Sequence, residues 1–215
     1  EEKTLPITLK DLPKHIDGID EIEVLIIDDG SKDKTAAVAR ELGVKSIVEM
    51  PHNSGLAKAF IAGLNKALAI GADIIVNTDA DNQYCADDIG KLIKPILSGE
   101  ADIVIGSRPV SEIEHFSPLK KLLQKLGSSV MRLIRSTDVE DAPSGFRAFS
   151  RNSAIQLNVF DNYTYTLETI IQARAKGLQL KCVPISVNPD LRESKLVKNM
   201  FDYIRRSMFT MIRMF

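Results

Sequence analysis

The stretch Asn77-Thr78-Asp79-Ala80-Asp81-Asn82-Gln83 sets two carboxylates and a carboxamide at alternate positions, Asp79, Asp81 and Gln83, directly after the apolar run Ile74-Ile75-Val76. Carboxylates crowded at the end of a buried strand repel one another and resist desolvation unless a cation or a hydrogen-bond donor compensates them. Oxygen ligands of this kind suit magnesium or manganese (Mg2+ or Mn2+), which take one or two carboxylates and fill their remaining positions with phosphate oxygens and water. Asp79, Asp81 and Gln83 are therefore candidate metal ligands, half of a metal–diphosphate site that a substrate completes. A second pair, Asp28 and Asp29, ends the run Val24-Leu25-Ile26-Ile27. Such a pair serves equally well to cap a following helix, and a lone Asp-x-Asp is no more specific. Arg108 in Gly-Ser-Arg and Arg147 in Ser-Gly-Phe-Arg are candidate anion binders, because a planar guanidinium fork matches phosphate oxygens. The alternative for both is a solvated arginine.

The elements that must carry these residues follow from hydrophobic periodicity. Residues 22–27, 46–50, 73–78 and 102–107 are short, β-branched runs apolar on both faces, as parallel strands covered by helices are. Between them lie helical patterns: one from Ser31, whose hydroxyl caps it, to Gly43; one from Gly55 to Gly71 with Leu56, Phe60, Leu64 and Leu68 on one face; and one over 87–97, ended or kinked by Pro95. Strand and helix in this alternation predict right-handed crossovers and an α/β/α sandwich around a mostly parallel central sheet. In such a sheet ligands bind at the carboxyl ends of the strands, where both acidic pairs fall. Farther on, 144–150 predicts a short strand, 166–177 a helix, and 178–187 an alternating strand with one face exposed. Residues 116–135 and 192–215 predict amphipathic basic helices.

Composition bounds the rest. The 215 residues, 44% hydrophobic and free of low-complexity tracts, can bury one sizeable core. A formal net charge of -1 argues against a nucleic-acid partner. Cys85 and Cys182 lie far apart and predict free thiols in a reducing compartment. No run reaches the roughly 18 uninterrupted apolar residues of a membrane-spanning helix, and no signal peptide is evident.

The motifs occur in a specific order: Ile-Asp-Asp-Gly-Ser-Lys-Asp-Lys-Thr from Ile27, His-Asn-Ser-Gly-Leu-Ala-Lys from His52, the Thr78–Gln83 stretch, Gly-Ser-Arg ending at Arg108, Ser-Gly-Phe-Arg ending at Arg147, and Arg-Glu-Ser-Lys-Leu from Arg192. In this order they resemble the family 2 glycosyltransferases of GT-A fold, and among them the dolichyl- or polyprenyl-phosphate sugar synthases. The resemblance covers essentially the whole chain. It implies that Asp28, Asp29, Asn53, Lys58 and Asp79 bind the nucleotide, that Asp79, Asp81 and Gln83 hold the metal, and that Arg108, Arg147, Arg192, Ser194 and Lys195 meet the acceptor or its phosphate. It makes Asp81, Arg147 and Asp141 the catalytic candidates. Asp141 and Glu168 are candidates for a base or for orienting the sugar, while His52 and His115 have the character of ordinary surface histidines. One departure is that relatives begin with a strand ending in a Pro-Ala-Tyr-Asn-Glu-like motif, whereas this chain opens at Glu1-Glu2-Lys3. The expectation is a catalytic domain over 1–190 lacking that first strand, then a basic juxtamembrane helix over 191–215 that leads to membrane spans beyond Phe215.

The implied reaction is inverting, metal-dependent transfer of a sugar from a GDP- or UDP-linked donor to a lipid phosphate acceptor, on the cytoplasmic face of a membrane. A lipid phosphate, with a second pKa of about 6, is already anionic and requires no strong base. An alcohol acceptor requires one, and Asp141 is the first suspect. Two alternatives stand beside this reading: a family 2 enzyme acting on a polysaccharide, protein or small molecule, and a catalytically silent nucleotide-binding scaffold. The membrane surface is expected from charge placement. Residues 117–136 carry Lys120, Lys121, Lys125, Arg132 and Arg135 with no acidic residue, and 191–215 carry Arg192, Lys195, Lys198, Arg205, Arg206 and Arg213 against Glu193 and Asp202.

Overall fold

The computed structural model describes residues 1–109, 139, 141–160 and 165–189. Their elements in order are α1 (Leu5–Asp11), β1 (Leu25–Asp28), α2 (Thr35–Glu41), β2 (Ser46–Glu49), α3 (Leu56–Ala69), β3 (Ile74–Asn77), a single 3-10 turn (Ala86–Asp88), α4 (Ile89–Leu97), β4 (Ile103–Ser107), β5 (Arg147–Ser150), α5 (Arg151–Gln156), α6 (Thr166–Ala175) and β6 (Leu180–Pro184).

The four predicted apolar runs are all strands, each shorter than its hydrophobic extent. β1 starts at Leu25 rather than at residue 22 because its parallel partner β2 offers four residues, pairing Leu25 with Ser46 through Asp28 with Glu49. β3, β4 and β6 share one direction, and β5 runs against them in the order β3-β5-β4-β6. The predicted parallel rhythm therefore holds along the chain, while the strand from the Ser-Gly-Phe-Arg stretch inserts antiparallel between β3 and β4.

The pleat sorts the core. Ile103 and Phe149 face a cluster with Phe60, Leu64, Ala154 and Tyr165, which joins α3, α5 and α6 to one side of the sheet. Val104 and Ala148, one residue along each strand, face Leu92, Ile93 and Ile89 of α4 on the other. This is the period-2 alternation of a sheet covered on both faces. Phe60 stacks on Tyr165 with ring centroids 3.8 Å apart, an aromatic pair worth about 1 kcal/mol beyond its buried area.

Three local features differ from expectation. α2 begins after Lys34, not at Ser31, because Asp28 Oδ1 accepts from the Ser31 amide and Asp33 Oδ1 from the Thr35 amide. Side-chain bonds of this kind hold the chain in turns and delay the helix. α1 and α5 were not predicted. α1 carries Pro6 in its first turn, where the missing N–H costs nothing, and α5 is capped by Ser150 Oγ, which accepts from the Ser153 amide. Cys85 and Cys182 are both half-buried.

Candidate active site

β3 delivers Asn77 to the carboxyl end of the sheet, where its Nδ2 donates to Gly145 O and to the Tyr165 hydroxyl, both at 2.9 Å. Gly145 donates its amide to the Tyr84 hydroxyl at 3.2 Å. A Cβ on Gly145 would stand 3.1 Å from the Tyr165 hydroxyl and 3.8 Å from both Asp79 carboxylate oxygens. Glycine lets the turn before β5 pack closely against the Tyr165 hydroxyl, with Asp79 at van der Waals distance. Burial, and after it the Asp79 charge, pushes the Tyr84 hydroxyl up to about 12 and raises Tyr165 as well, so both stay neutral hydrogen-bonding groups at ordinary pH.

β4 delivers Arg108 to the same cluster. Its Nε and Nη2 donate to Asp141 Oδ2 and Oδ1 at 2.6 and 2.9 Å, and its backbone amide adds a third bond to Oδ2. Burial works against the Arg108 charge. The hydrogen bonds and charge of Asp141, with Tyr84 and Asp79, outweigh it and hold the guanidinium above its ordinary value. Arg108 remains partly exposed, 15% by side chain, against 1% for Asp141. Its Nη1 edge lies outside the fork that Asp141 occupies, and a guanidinium held in this way can receive an anion on that edge.

The loop after Asp79 is built to hold its side chains in one arrangement. Asp81 is buried, and its Oδ1 accepts from the Gln83 amide at 3.2 Å. Between them, Asn82 has φ 61°, in the left-handed region. Its Nδ2 donates to Asp11 Oδ2 at 3.1 Å, and its buried Oδ1 has no hydrogen-bond partner. Two carboxylates, a carboxamide and an orphaned buried carbonyl oxygen are all oxygen donors, the kind a hard divalent cation takes when substrate phosphate completes its shell.

A second cluster surrounds Gly30. Asp28 is buried and ends β1; Asp29 accepts the Ser54 and Gly55 amides, one on each carboxylate oxygen, at 2.7 and 2.9 Å. Gly30 has φ 68°, and a Cβ there would fall 2.5 Å from the His52 carbonyl carbon. The acidic turn therefore lies against the His52–Gly55 loop, which leads into α3. Asn53 and Lys58 are exposed on that loop and first turn, and His52 is exposed as expected. The N-terminal segment with α1 links the two clusters: Glu2, before the helix, accepts from the Lys34 amide, and Thr8 Oγ1 of α1 donates to Ala80 O at 3.2 Å.

Three of the expected residues are engaged in contacts within the protein. Arg147 is fully enclosed, and its guanidinium donates to Ser144 O, Thr166 O, Thr169 Oγ1 and Ala142 O at 2.7–2.9 Å. Four of its five N–H donors are spent on the protein, and they hold the 142–144 turn in place. Asp141 is held in the Arg108 fork, with both carboxylate oxygens accepting from that side chain. Glu168, buried in α6, accepts from the Phe160 amide and from Gln172, and so pins the 158–160 turn. Arg192, Ser194, Lys195 and His115 lie outside the described residues. Tyr84, Tyr165, Asn188, Thr8 and Asp11 were missed by sequence reasoning, since only contacts between distant segments assign them to the site.

Residues 1–157 match the family described as Glycosyl transferase family 2. Over 206 residues the chain is 34% identical to the UDP-N-acetylglucosamine-dolichyl-phosphate N-acetylglucosaminyltransferase of Methanococcus voltae, covering 86% of this chain and 80% of that protein. Over 198 residues it is 27% identical to the polyprenol monophosphomannose synthase of Mycolicibacterium smegmatis, covering 88% and 74%. Among solved structures it superposes on glucosyl-3-phosphoglycerate synthase from Mycobacterium tuberculosis in complex with Mn2+, UDP-glucose and phosphoglyceric acid with a TM-score of 0.75, covering 100% of this chain and 75% of that one at 20% identity. The last likeness is one of fold, and the fold is GT-A. The chain belongs to glycosyl transferase family 2 and is a glycosyltransferase.

Proposed function

We propose that this chain transfers a sugar from a GDP- or UDP-linked donor to a polyprenyl phosphate, with inversion at the anomeric carbon and dependence on Mg2+ or Mn2+, at a membrane surface. The observation that carries the reading is the fork between Arg108 and Asp141. The acidic side chain expected to serve an alcohol acceptor as its base is committed to orienting an arginine. A phosphate acceptor needs an oriented arginine and no base, because it is already largely anionic at neutral pH. The names of the archaeal and mycobacterial relatives point to the same acceptor class.

In this reading Asp79, Asp81 and Gln83 hold the cation, which when bound neutralises charge developing on the departing nucleoside diphosphate. Asp28 accepts from the base or ribose, Asp29 shapes the loop that carries Asn53, and Lys58 stands in the first turn of α3 where a phosphate can meet both its charge and the free helix amides. Arg108 presents its outer edge to the acceptor phosphate. Tyr84, Tyr165 and the Gly145 turn stand beside Asp79 and shape the wall of its site. Arg192, Ser194 and Lys195 are proposed to complete the acceptor side.

The test is a screen of UDP-N-acetylglucosamine, UDP-glucose and GDP-mannose with Mn2+ and a short polyprenyl phosphate. The expected result is labelled sugar in an organic-extractable, mild-acid-labile product from one of the donors. Transfer to an alcohol acceptor with none to the lipid phosphate would overturn the proposal.

A further inference from the structure

The loop that presents Asp81 and Gln83 does not owe its shape to its own sequence alone. Asn82 is the non-glycine residue with positive φ among the described residues, and a residue held in that region persists only where its surroundings over-determine it. The surroundings are visible. Asn188, four residues past the end of β6, donates its Nδ2 to Asn82 O at 3.0 Å and to Tyr84 O at 3.4 Å, and its backbone amide to Gln83 O at 2.8 Å. Three consecutive carbonyls of the loop are therefore held by one residue more than 100 positions away. Val187 beside it forms an isolated antiparallel bridge with Tyr84. On the far side Asp11 receives the Asn82 carboxamide, so the loop is gripped between α1 and the segment after β6.

The chemistry selects asparagine at 188. One carboxamide nitrogen carries two hydrogens, and two carbonyls set two residues apart use both. Aspartate would oppose its oxygens to those carbonyls, serine offers one hydrogen, and alanine none. We propose that Asn188 is a positioning residue for the cation site: it fixes the carbonyls of Asn82, Gln83 and Tyr84, and through them the directions in which the Asp81 and Gln83 side chains leave the backbone. This rests on the reading of Asp79, Asp81 and Gln83 as cation ligands. Outer residues that orient ligands alter metal affinity about 10- to 100-fold when removed.

The test is direct titration of Mn2+ in the presence of UDP or GDP, by calorimetry and by the electron paramagnetic resonance signal of free Mn2+. The proteins are the wild type, Asp81→Asn, Asn188→Ala and Asn188→Gln, each with its thermal midpoint recorded. The expected result is Mn2+ binding by the wild type, its loss in Asp81→Asn, and weakening of about 10- to 100-fold in Asn188→Ala. Asn188→Gln, which keeps the amide one methylene too far out, should fall between. Raising Mn2+ should return kcat of both Asn188 variants toward the wild-type value while the KM for metal stays high. Wild-type Mn2+ affinity in folded Asn188→Ala would overturn the positioning role and leave the cation site standing. Should Asn188→Ala fail to fold, wild-type affinity in Asn188→Gln would overturn it equally. Weakening that merely tracks the unfolded fraction would also overturn it. Failure of the wild type to bind Mn2+ with either nucleotide would instead remove the cation site itself.

Discussion

Arg108 and Arg147 look alike in the sequence, each following a small residue or an aromatic at the edge of an apolar run, and each an attractive phosphate fork. The fold gives them opposite tasks. Arg108 stands at the end of β4 with Asp141 on one edge and its Nη1 edge uncommitted by that fork, whereas Arg147 turns inward and satisfies carbonyls from two separate segments. What separates them is the closing of the 142–144 turn and the start of α6 over Arg147, neither of which local residue types reveal. Arg147→Lys should consequently behave as a stability variant. A lysine keeps the charge but reaches at most part of the four acceptors, and hydrogen bonds from a buried charged group are worth about 1.5–3 kcal/mol each. We expect a loss on the order of 3 kcal/mol in denaturant unfolding, with the KM for the nucleotide sugar unchanged in the protein that remains folded. Full stability combined with a raised donor KM would return Arg147 to the substrate.

At the scale of elements, the turn before β5 joins the loop after β3 through two tyrosine hydroxyls, and this junction has a pH signature. Burial first, then Asp79 and to a lesser extent Asp141, raises Tyr84 to about 12, while Arg108 and the Gly145 amide pull the other way. An unfolded tyrosine titrates at about 10. Below that pH both states keep the proton, and the junction contributes its full stability. Between pH 10 and 12 the unfolded chain sheds the proton and the native state retains it, so stability falls as pH rises. The shift corresponds to a loss on the order of 2 kcal/mol across this window. Thermal midpoints of the wild type should therefore drop more steeply from pH 10 to 12 than those of Tyr84→Phe; equal slopes would detach Tyr84 from the effect. The elements on either side of this junction were unequally legible. β3 and β4 declared themselves through β-branched runs, and α3 through its apolar stripe, because those signals are local. The antiparallel entry of β5, pairing Asn77 with Arg147 and Ile105 with Arg147 from opposite sides, is a matter of which distant strand edge is open, and α1 is too short for seven residues to show a period.

Across the whole molecule, the charge sum of -1 conceals an uneven distribution. The acidic side chains Asp28, Asp79 and Asp81 gather beyond the carboxyl ends of strands, where a nucleotide and its cation would be met, and this much was readable because strand ends and carboxylates are both local features. The grip of Asn188 and Asp11 on the same loop was not, since it depends on contacts 71 to 106 residues apart. The basic side chains are concentrated elsewhere in the sequence: Lys120, Lys121, Lys125, Arg132 and Arg135 within 117–136, and Arg192, Lys195, Lys198, Arg205, Arg206 and Arg213 within 191–215. Among the described residues no helix is long and apolar enough to cross a membrane; the proposed lipid-phosphate acceptor makes these basic stretches the place to look for attraction to a membrane surface. Each basic residue near an anionic leaflet supplies about 1 kcal/mol before salt screens it. Five such residues within a stretch free of acidic ones match the size of basic clusters that bind anionic lipid. In flotation with vesicles containing phosphatidylserine, we expect the protein to rise with the lipid at low salt, to be released by raising the salt, and to bind more weakly when Lys120, Lys121 and Lys125 are changed to glutamine. Absence of binding at low salt, or indifference to those three changes, would remove this stretch as the means by which the enzyme meets its acceptor.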